Sequence, residues 1–295
     1  MKSRIFKEKV DGKQCSVEDA KKLFIDYSIR SNCYISSNFL KCKLTVHDKL
    51  PNTQQIILKI GDNRIDFVRN ISIITLFHEL KHLADSWQDE SGALHPAWVF
   101  ETNYCTQLSF ISGTPKIIQV DRGVRGLAMS NAVAELFAQQ AYFDIFNYDS
   151  KAYLDMSKNR PYADEIIYLK KIAIILGLNI SEILTWSSPY GRQQLAKKFS
   201  NFDVKYSDVW RTLELWMDYC ATVKYVKNKY PDYKVSQKSF ERAKEYKKHI
   251  DDFLDECMSY PVQQQYYSSQ GVAKIDFDRL DIFRIKLSAF NSLKK

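Results

Sequence analysis

The spacing of hydrophobic residues predicts a chain that is mostly helical. Apolar side chains in residues 71–87 recur every three or four positions, which is the period of an amphipathic helix. Residues 16–30 begin with a capping-box pattern formed by Ser16 and Asp19, so a helix is expected there too. Similar periods predict further helices over residues 130–147, 162–178, 181–187, 190–200, 207–229, 236–258 and 276–292.

A β-hairpin is predicted ahead of the helix over 71–87. Residues 54–60 and 64–69 are rich in β-branched and alternating apolar residues, and the turn-forming residues 61–63 separate them. By contrast, residues 88–126 contain several glycines and prolines, which predicts a long irregular segment that serves a function or covers a site. These patterns indicate an α+β fold, with a small sheet before the first strong helix and a helical C-terminal half.

The composition of the 295 residues excludes several classes of protein. A content of 45% hydrophobic and 14% aromatic residues is too high for a disordered chain. The most apolar run, residues 172–178, is much shorter than the roughly 20 residues of a membrane-spanning helix. No signal-peptide pattern follows the basic N-terminus. We therefore expect a cytoplasmic protein, or one delivered into a host cell without a classical signal peptide.

The positive charge is concentrated in the second half of the chain. Residues 1–150 contain 18 Lys and Arg against 17 Asp and Glu, whereas residues 151–295 contain 25 against 18, which together give the net charge of +8. This shift, with turn residues at 147–150, predicts a domain boundary near residue 150. Interleaved Lys and Tyr over 224–248 are typical of a solvated helix face, so we do not expect a nucleic-acid partner.

Residues 78–82 read His-Glu-Leu-Lys-His and lie within the helix predicted over 71–87. Side chains four residues apart share one face of a helix, so His78 and His82 can direct both imidazoles at one metal ion. Glu79 lies one step around the helix, where it can reach a water on that ion but not the ion itself. A hydrolytic Zn²⁺ requires this arrangement, with an open coordination position and a general base beside it.

A catalytic zinc site also needs a third protein ligand. Glu135 is the strongest candidate, because it is an isolated carboxylate on an otherwise apolar helix and its burial without a partner would be costly. Alanines around it would allow a close approach to the helix of His78 and His82. Asp85 is an alternative ligand, although a supporting or helix-capping role is favoured for it. The position six residues after His82 is Gln88, which excludes the metzincin pattern.

HExxH followed by a ligand glutamate on a later helix is the pattern of the Glu-zincin metallopeptidases, which this chain resembles over residues 50–148. The run Ala-Glu-Leu-Phe-Ala around Glu135, with an asparagine shortly before it, is most similar to the anthrax lethal factor type of catalytic domain. The resemblance implies that His78, His82 and Glu135 bind zinc and that Glu79 is the general base. It also implies a small sheet whose edge strand, here from the hairpin, holds the substrate.

The chain departs from that family at the residue that would stabilise the oxyanion. The related enzymes carry a tyrosine about two turns before the ligand glutamate, and here that position is Ala128. We predict that Tyr142 replaces it, because Tyr142 lies on the same helical face as Glu135; an ordinary core tyrosine is the alternative. Further candidates in or near the long connecting segment are His95, Tyr104 and Arg125.

These residues predict a zinc-dependent endopeptidase that cleaves a specific protein substrate. Residues 1–150 would form its zincin-like core, and residues 151–295 would form a helical subdomain for substrate recognition. Such a division suits a bacterial toxin, an injected effector or a regulatory protease. Two alternatives stay open: an HExxH protease that acts on a repressor or another DNA-bound protein, and an inactive zincin fold that only binds a partner.

Overall fold

A computed structural model of the chain describes residues 4–10, 12–51, 54–90, 92–96, 104–111, 114–121, 127–146, 162–176, 178, 180–188, 191, 206–229 and 235–258. These residues form a mixed α and β structure in which helices predominate, as the sequence predicts. The elements follow one another as β1 (Lys9–Val10), β2 (Lys13–Gln14), α1 (Val17–Arg30), β3 (Lys43–His47), β4 (Ile56–Lys59), β5 (Arg64–Val68), α2 (Ile73–Ala84), β6 (Trp87–Gln88), β7 (Leu94–His95), β8 (Tyr104–Ile111), β9 (Thr114–Asp121), α3 (Leu127–Phe146), α4 (Ala163–Leu176), α5 (Ile180–Thr185), α6 (Tyr206–Lys229) and α7 (Gln237–Met258).

The chain divides into two compact units, each built from segments that are separate in the sequence. The first unit comprises Met1–Ala97, Ser130–Ala163 and Ser181–Arg192. The second comprises Trp98–Met129, Asp164–Ile180 and Gln193–Lys295. The domain boundary expected near residue 150 stays a prediction.

The predicted hairpin is confirmed as part of a three-stranded sheet in the first unit. The central strand β5 pairs in parallel with β3 on one side and antiparallel with β4 on the other. Asn63 in the turn has a φ of 49°, in the left-handed region that asparagine tolerates better than most residues. Ile65 and Phe67 alternate along β5 and are fully buried, so one face of the sheet covers the core.

Three helices of the first unit pack together through phenylalanine rings. Phe24 of α1 lies against Phe77 of α2 and Phe137 of α3, with ring centroids 5.8 and 5.0 Å apart respectively. All three side chains are fully buried, and burial of each ring contributes about 1.5–3 kcal/mol. Because Phe77 precedes His78 and Phe137 follows Glu135 by two residues, this contact fixes how α2 and α3 face each other.

The ends of the first two long helices follow from local hydrogen bonds. At α1 the capping box is confirmed: the Ser16 hydroxyl accepts from the Asp19 backbone N–H and the Asp19 carboxylate accepts from the Ser16 backbone N–H, both at 3.0 Å. α2 is shorter than predicted, because Asp85 caps it after Ala84 and Trp87 already pairs in β6.

Much of the described part of residues 88–126 is not irregular, contrary to the prediction. β6 pairs with β7, and β8 pairs antiparallel with β9 over eight residue pairs. Glycine and proline in this segment predict a loop, whereas the alternation that includes Leu108 and Phe110 is typical of a strand. Pro115 is the second residue of β9, beside the turn of a two-stranded sheet, which is a position where proline is tolerated in a strand.

The described part of the second unit confirms three predicted helices, α4, α6 and α7, with small shifts at their ends. Tyr219 and Val223 of α6 are buried against Ala243 of α7. The helices predicted over 190–200 and 276–292 lie outside the described residues, apart from residue 191. Among the helices described, none is long and apolar enough to cross a bilayer.

Candidate functional site

The N-terminus of α2 is held by a residue that is distant in the sequence. The Glu8 carboxylate accepts a hydrogen bond from the Ile73 backbone N–H at 2.9 Å and another from the Ser72 hydroxyl. A helix leaves its first backbone N–H groups without partners, and Glu8 satisfies one of them. Its negative charge also lies at the positive end of the helix dipole, so Glu8 stabilises the helix that carries His78 and His82.

His78 and His82 lie one turn apart on α2, and their imidazoles point to the same place. Both side chains are buried, and their Nε2 atoms are 3.2 Å apart. Two nitrogens bound to one tetrahedral Zn²⁺ at about 2.0–2.1 Å would be separated by about 3.3 Å. The two Nε2 atoms therefore already have the separation that a shared metal ion needs.

α3 provides a partner for the other ring nitrogen of each histidine. Glu135 Oε2 lies 3.0 Å from His78 Nδ1, and Ser130 Oγ lies 3.4 Å from His82 Nδ1. Glu135 is almost completely buried, and its Oε1 accepts a hydrogen bond from Gln139 Nε2 at 3.0 Å. The structure thus brings Glu135 to His78, but its carboxylate contacts Nδ1 of that ring rather than the side on which the two Nε2 atoms meet.

Asn131, one turn before Glu135 on α3, was missed by sequence reasoning. Its Oδ1 lies 3.3 Å from His78 Nε2 and 3.1 Å from His82 Nε2. The signal that would identify it is its spacing of four residues from Glu135, because such residues share one helix face. The residue type alone gives no signal, because the usual protein ligands of Zn²⁺ are Cys, His, Asp and Glu.

Burial and neighbouring charges shift the pKa values of the two histidines in opposite directions. Burial lowers the pKa of His78, but the adjacent Glu135 and Glu79 carboxylates outweigh burial and hold that pKa above its ordinary value. Burial, together with the positive charge of His78, holds the pKa of His82 well below its ordinary value. A neutral His82 retains a nitrogen lone pair, which metal binding requires.

Glu79 is partly exposed, and within the described ranges no hydrogen bond or ion pair engages its carboxylate. The pKa of Glu79 lies above its ordinary value, mainly because of burial. The positive charge of His78 lowers this pKa and the negative charge of Glu135 raises it, but neither effect is as large as that of burial. A raised pKa brings a carboxylate closer to the range in which a general base is most effective near neutral pH.

A buried ion pair supports the C-terminal half of α2. Lys81 Nζ lies 2.5 Å from Asp85 Oδ1, and both side chains are about 1% exposed. The Ser187 hydroxyl donates to the other Asp85 oxygen, and Lys81 also lies over the Phe137 ring. Asp85, the alternative ligand, is thus placed in this pair at the end of α2 and not beside the imidazole Nε2 atoms.

The structure does not bring Tyr142 to the imidazoles. Its hydroxyl donates a 3.0 Å hydrogen bond to Glu8 Oε1 at the start of α2, and its ring packs against Phe146. His78 is five residues after Ile73, which is about 7.5 Å further along the helix axis. In this structure Tyr142 supports the N-terminus of α2.

His95, another oxyanion candidate, lies in the β6–β7 hairpin. His95 Nε2 lies 2.6 Å from Asp89 Oδ2, and its ring stacks on Trp87 within the β6–β7 hairpin. The side chain of Tyr104 and the whole of Arg125 lie outside the described residues.

Tyr162 is a second residue that sequence reasoning missed. Its ring stacks on the His78 imidazole, with centroids 5.8 Å apart and planes inclined by 16°. Its φ of 63° lies in the left-handed region, which costs a residue with a Cβ roughly 1–2 kcal/mol. Strain of this kind persists only where the surrounding structure imposes it, and here it places an aromatic ring on a candidate metal ligand.

Within the described ranges, no three side chains of the His, Cys, Asp and Glu types converge as a metal-binding group. The two histidine Nε2 atoms converge instead on the amide oxygen of Asn131. In comparisons with known proteins, no family model, curated protein or solved structure matches this chain. The function is therefore inferred from the geometry of α2 and α3.

Proposed function

We propose that this protein is a zinc-dependent endopeptidase that acts on a protein substrate. The observation that carries the proposal is the buried His78–His82 pair, whose Nε2 atoms lie 3.2 Å apart while each Nδ1 has a partner on α3. Partners on Nδ1 are typical of metal-binding histidines, because they fix the tautomer and the direction of the ring.

The chain's own residues supply the parts that a hydrolytic zinc site needs. His78 and His82 would hold the ion through Nε2, and an oxygen from α3 would complete the protein ligands, for which the family resemblance implies Glu135. When bound, Zn²⁺ activates water and polarises a carbonyl oxygen. Glu79 accepts the proton of the attacking water and then donates it to the leaving amine.

The sheet beside α2 suits an extended peptide substrate. Within the residues that the structure describes, β4 pairs with β5 on one side only, so its other edge offers backbone groups for further pairing. An extended peptide can add to such an edge through main-chain hydrogen bonds, as the family resemblance implies. Residues 151–295 are the proposed region for recognition of the substrate.

The experiment is a cleavage screen with a proteome-derived peptide library and zinc-loaded protein. New peptide termini should appear with wild type and with His95→Ala, a histidine control outside the site, but not with Glu79→Gln. Glu79→Gln should still bind zinc, since Glu79 is a base and not a ligand. Equal cleavage by Glu79→Gln would overturn the role of Glu79.

Two observations favour a second candidate function, a zincin-like protein that binds a partner without cleaving it. The neutral amide of Asn131, and not the expected carboxylate of Glu135, lies beside both Nε2 atoms. Ala128 also stands where the related enzymes carry a tyrosine. For this function, wild type and Glu79→Gln should both bind zinc, and the same screen should show no new peptide termini with either.

A further inference from the structure

We propose that Asn131 supplies the third protein ligand of the metal through Oδ1, and that Glu135 acts from outside the coordination shell by holding His78. This inference rests on the proposed function, since it assumes that His78 and His82 bind a metal ion. It replaces the ligand that the family resemblance implies with a neutral amide.

The three donor atoms form a nearly equilateral triangle. His78 Nε2, His82 Nε2 and Asn131 Oδ1 are separated by 3.2, 3.1 and 3.3 Å. Three ligands on one face of a tetrahedral ion, each about 2.0–2.1 Å from it, form a triangle with edges of about 3.3 Å. The triangle leaves the fourth tetrahedral position for water or substrate.

Both oxygens of Glu135 already have partners elsewhere. Oε2 lies 3.0 Å from His78 Nδ1, and Oε1 accepts from Gln139 Nε2 at 3.0 Å. To become a ligand, the buried carboxylate would have to give up both contacts and pass from one side of the imidazole to the other. In its present place it forms the carboxylate–histidine contact that orients metal-binding histidines in many sites.

The helical spacing along α3 explains why the Asn131 amide and the Glu135 carboxylate both contact His78. Asn131 and Glu135 are four residues apart on α3, so their side chains lie one above the other on the face that contacts α2. One turn of α3 reaches the two Nε2 atoms, and the next reaches Nδ1 of His78. Phe24 of α1 contacts both Phe77 and Phe137, and this packing helps to keep the register.

The proposed ligands His78, His82 and Asn131 carry no negative charge, so an added carboxylate should affect Zn²⁺ binding. Two imidazoles and an amide carry no negative charge, so Asn131→Asp, which keeps the shape and adds a carboxylate, should tighten Zn²⁺ binding by about tenfold or more. Asn131→Ala removes the oxygen and should weaken Zn²⁺ binding more than any other single change on α3. Glu135→Gln should weaken it by about 10–100-fold, the effect expected of an outer partner.

The experiment titrates chelator-treated full-length protein with Zn²⁺ against a chromophoric competitor, and with Co²⁺ to record its visible absorption bands. The bands depend on the atoms bound to Co²⁺. We expect Glu135→Gln to keep the wild-type bands and Asn131→Asp to shift them with retained binding. His82→Ala and His95→Ala serve as the ligand control and the histidine control, and far-UV circular dichroism checks that each variant is folded.

Shifted bands in Glu135→Gln, with wild-type bands and affinity in the Asn131 variants, would overturn this inference while leaving the zinc site intact. If Asn131→Ala and Glu135→Gln both lose the metal, the Co²⁺ absorption bands of Asn131→Asp show whether residue 131 is a ligand. Bands that differ from those of wild type support the inference, and unchanged bands overturn it. Absence of Zn²⁺ binding by wild type would overturn the proposed function and this inference together.

Discussion

At the scale of single residues, the buried ion pair Lys81–Asp85 supports the helix that carries His78 and His82. Removal of one partner leaves the other buried charge without this counter-ion, so Lys81→Met or Asp85→Leu alone should lower the free energy of unfolding by about 3–5 kcal/mol. The double variant should cost much less than the sum of the two, because no charge is then left alone. Urea denaturation of the single and double variants measures this difference.

The exposed pair Lys22–Asp26 on α1 is a matched control with the same spacing of four residues. Its side chains are 75% and 48% exposed, so the same substitutions there should change stability by no more than about 0.5 kcal/mol. If the double variant lost as much free energy of unfolding as the two single variants together, the charges of Lys81 and Asp85 would not depend on each other.

The sequence predicts the residues of one helix better than the residues that meet between helices. His78, Glu79 and His82 follow from a spacing within α2, and the structure places both imidazoles together as expected. Asn131 and Tyr162 reach His78 only through tertiary packing. An asparagine on a helix and a tyrosine after a proline carry no local signal of that contact.

At the scale of elements, the network of Glu8, Ser72 and Tyr142 determines how α2 begins. Glu8→Gln and Tyr142→Phe should each lower stability by about 1–2 kcal/mol, because each removes a hydrogen bond that involves the Glu8 carboxylate. The two losses should not add, since they share one contact. A double-mutant cycle by urea denaturation measures the coupling.

Tyr142→Phe also separates the two roles considered for this tyrosine. The structure predicts a loss of stability with unchanged peptide cleavage. Full stability with abolished cleavage would contradict this and restore Tyr142 as the oxyanion-stabilising residue that the sequence predicts.

The sheet carries a pH-dependent contribution to stability at Asp66 of β5. Burial raises the pKa of Asp66, but Lys59, His47 and Arg64 around the carboxylate outweigh burial and hold the pKa below its ordinary value. A pKa that is lower in the folded state gives stability that is present above the unfolded value of about 3.9 and is lost as the pH falls further.

Asp66→Asn should therefore flatten the fall in stability below about pH 4, which urea denaturation between pH 2 and 6 can follow. Asp48→Asn is the control, since Asp48 also pairs with an arginine but is 94% exposed. If the free energy of unfolding fell in the same way at acid pH in wild type and Asp66→Asn, Asp66 would not be the source of this pH dependence.

Elements with local signals are the ones that the sequence predicts well. The capping box of α1 and the turn at residues 61–63 lie within a few residues of the segments they define. The β8–β9 hairpin was missed because Gly113 and Pro115 predict a loop, although Pro115 lies within β9. Proline positions must be judged against the pairing, which the sequence does not show.

At the scale of the whole molecule, the first unit joins three separate segments of the chain. The candidate site takes α2 from one segment and α3 from another, so folding and metal binding are linked. Zn²⁺ that binds only the folded state should stabilise it by about 2.7 kcal/mol at 100 times the dissociation constant. Urea denaturation with and without Zn²⁺ should show this gain in wild type and His95→Ala but not in His82→Ala.

The division into interleaved units is the part of the fold that sequence patterns reveal least. Periodicity and turn residues report on neighbours along the chain, whereas Ser130–Ala163 joins the first unit through contacts with residues far away in the sequence. The meeting of α2 and α3 in one unit therefore had to be inferred from chemistry, namely from the need of two histidines for an oxygen partner.

The most direct test of the zinc site is the metal content of protein purified without chelators, measured by mass spectrometry. Wild type and His95→Ala should contain about one zinc ion per chain, and His82→Ala should contain much less, because a site with one histidine lacks a required ligand. Wild type without zinc, or His82→Ala with as much zinc as wild type, would contradict the metal site on which the proposed function depends.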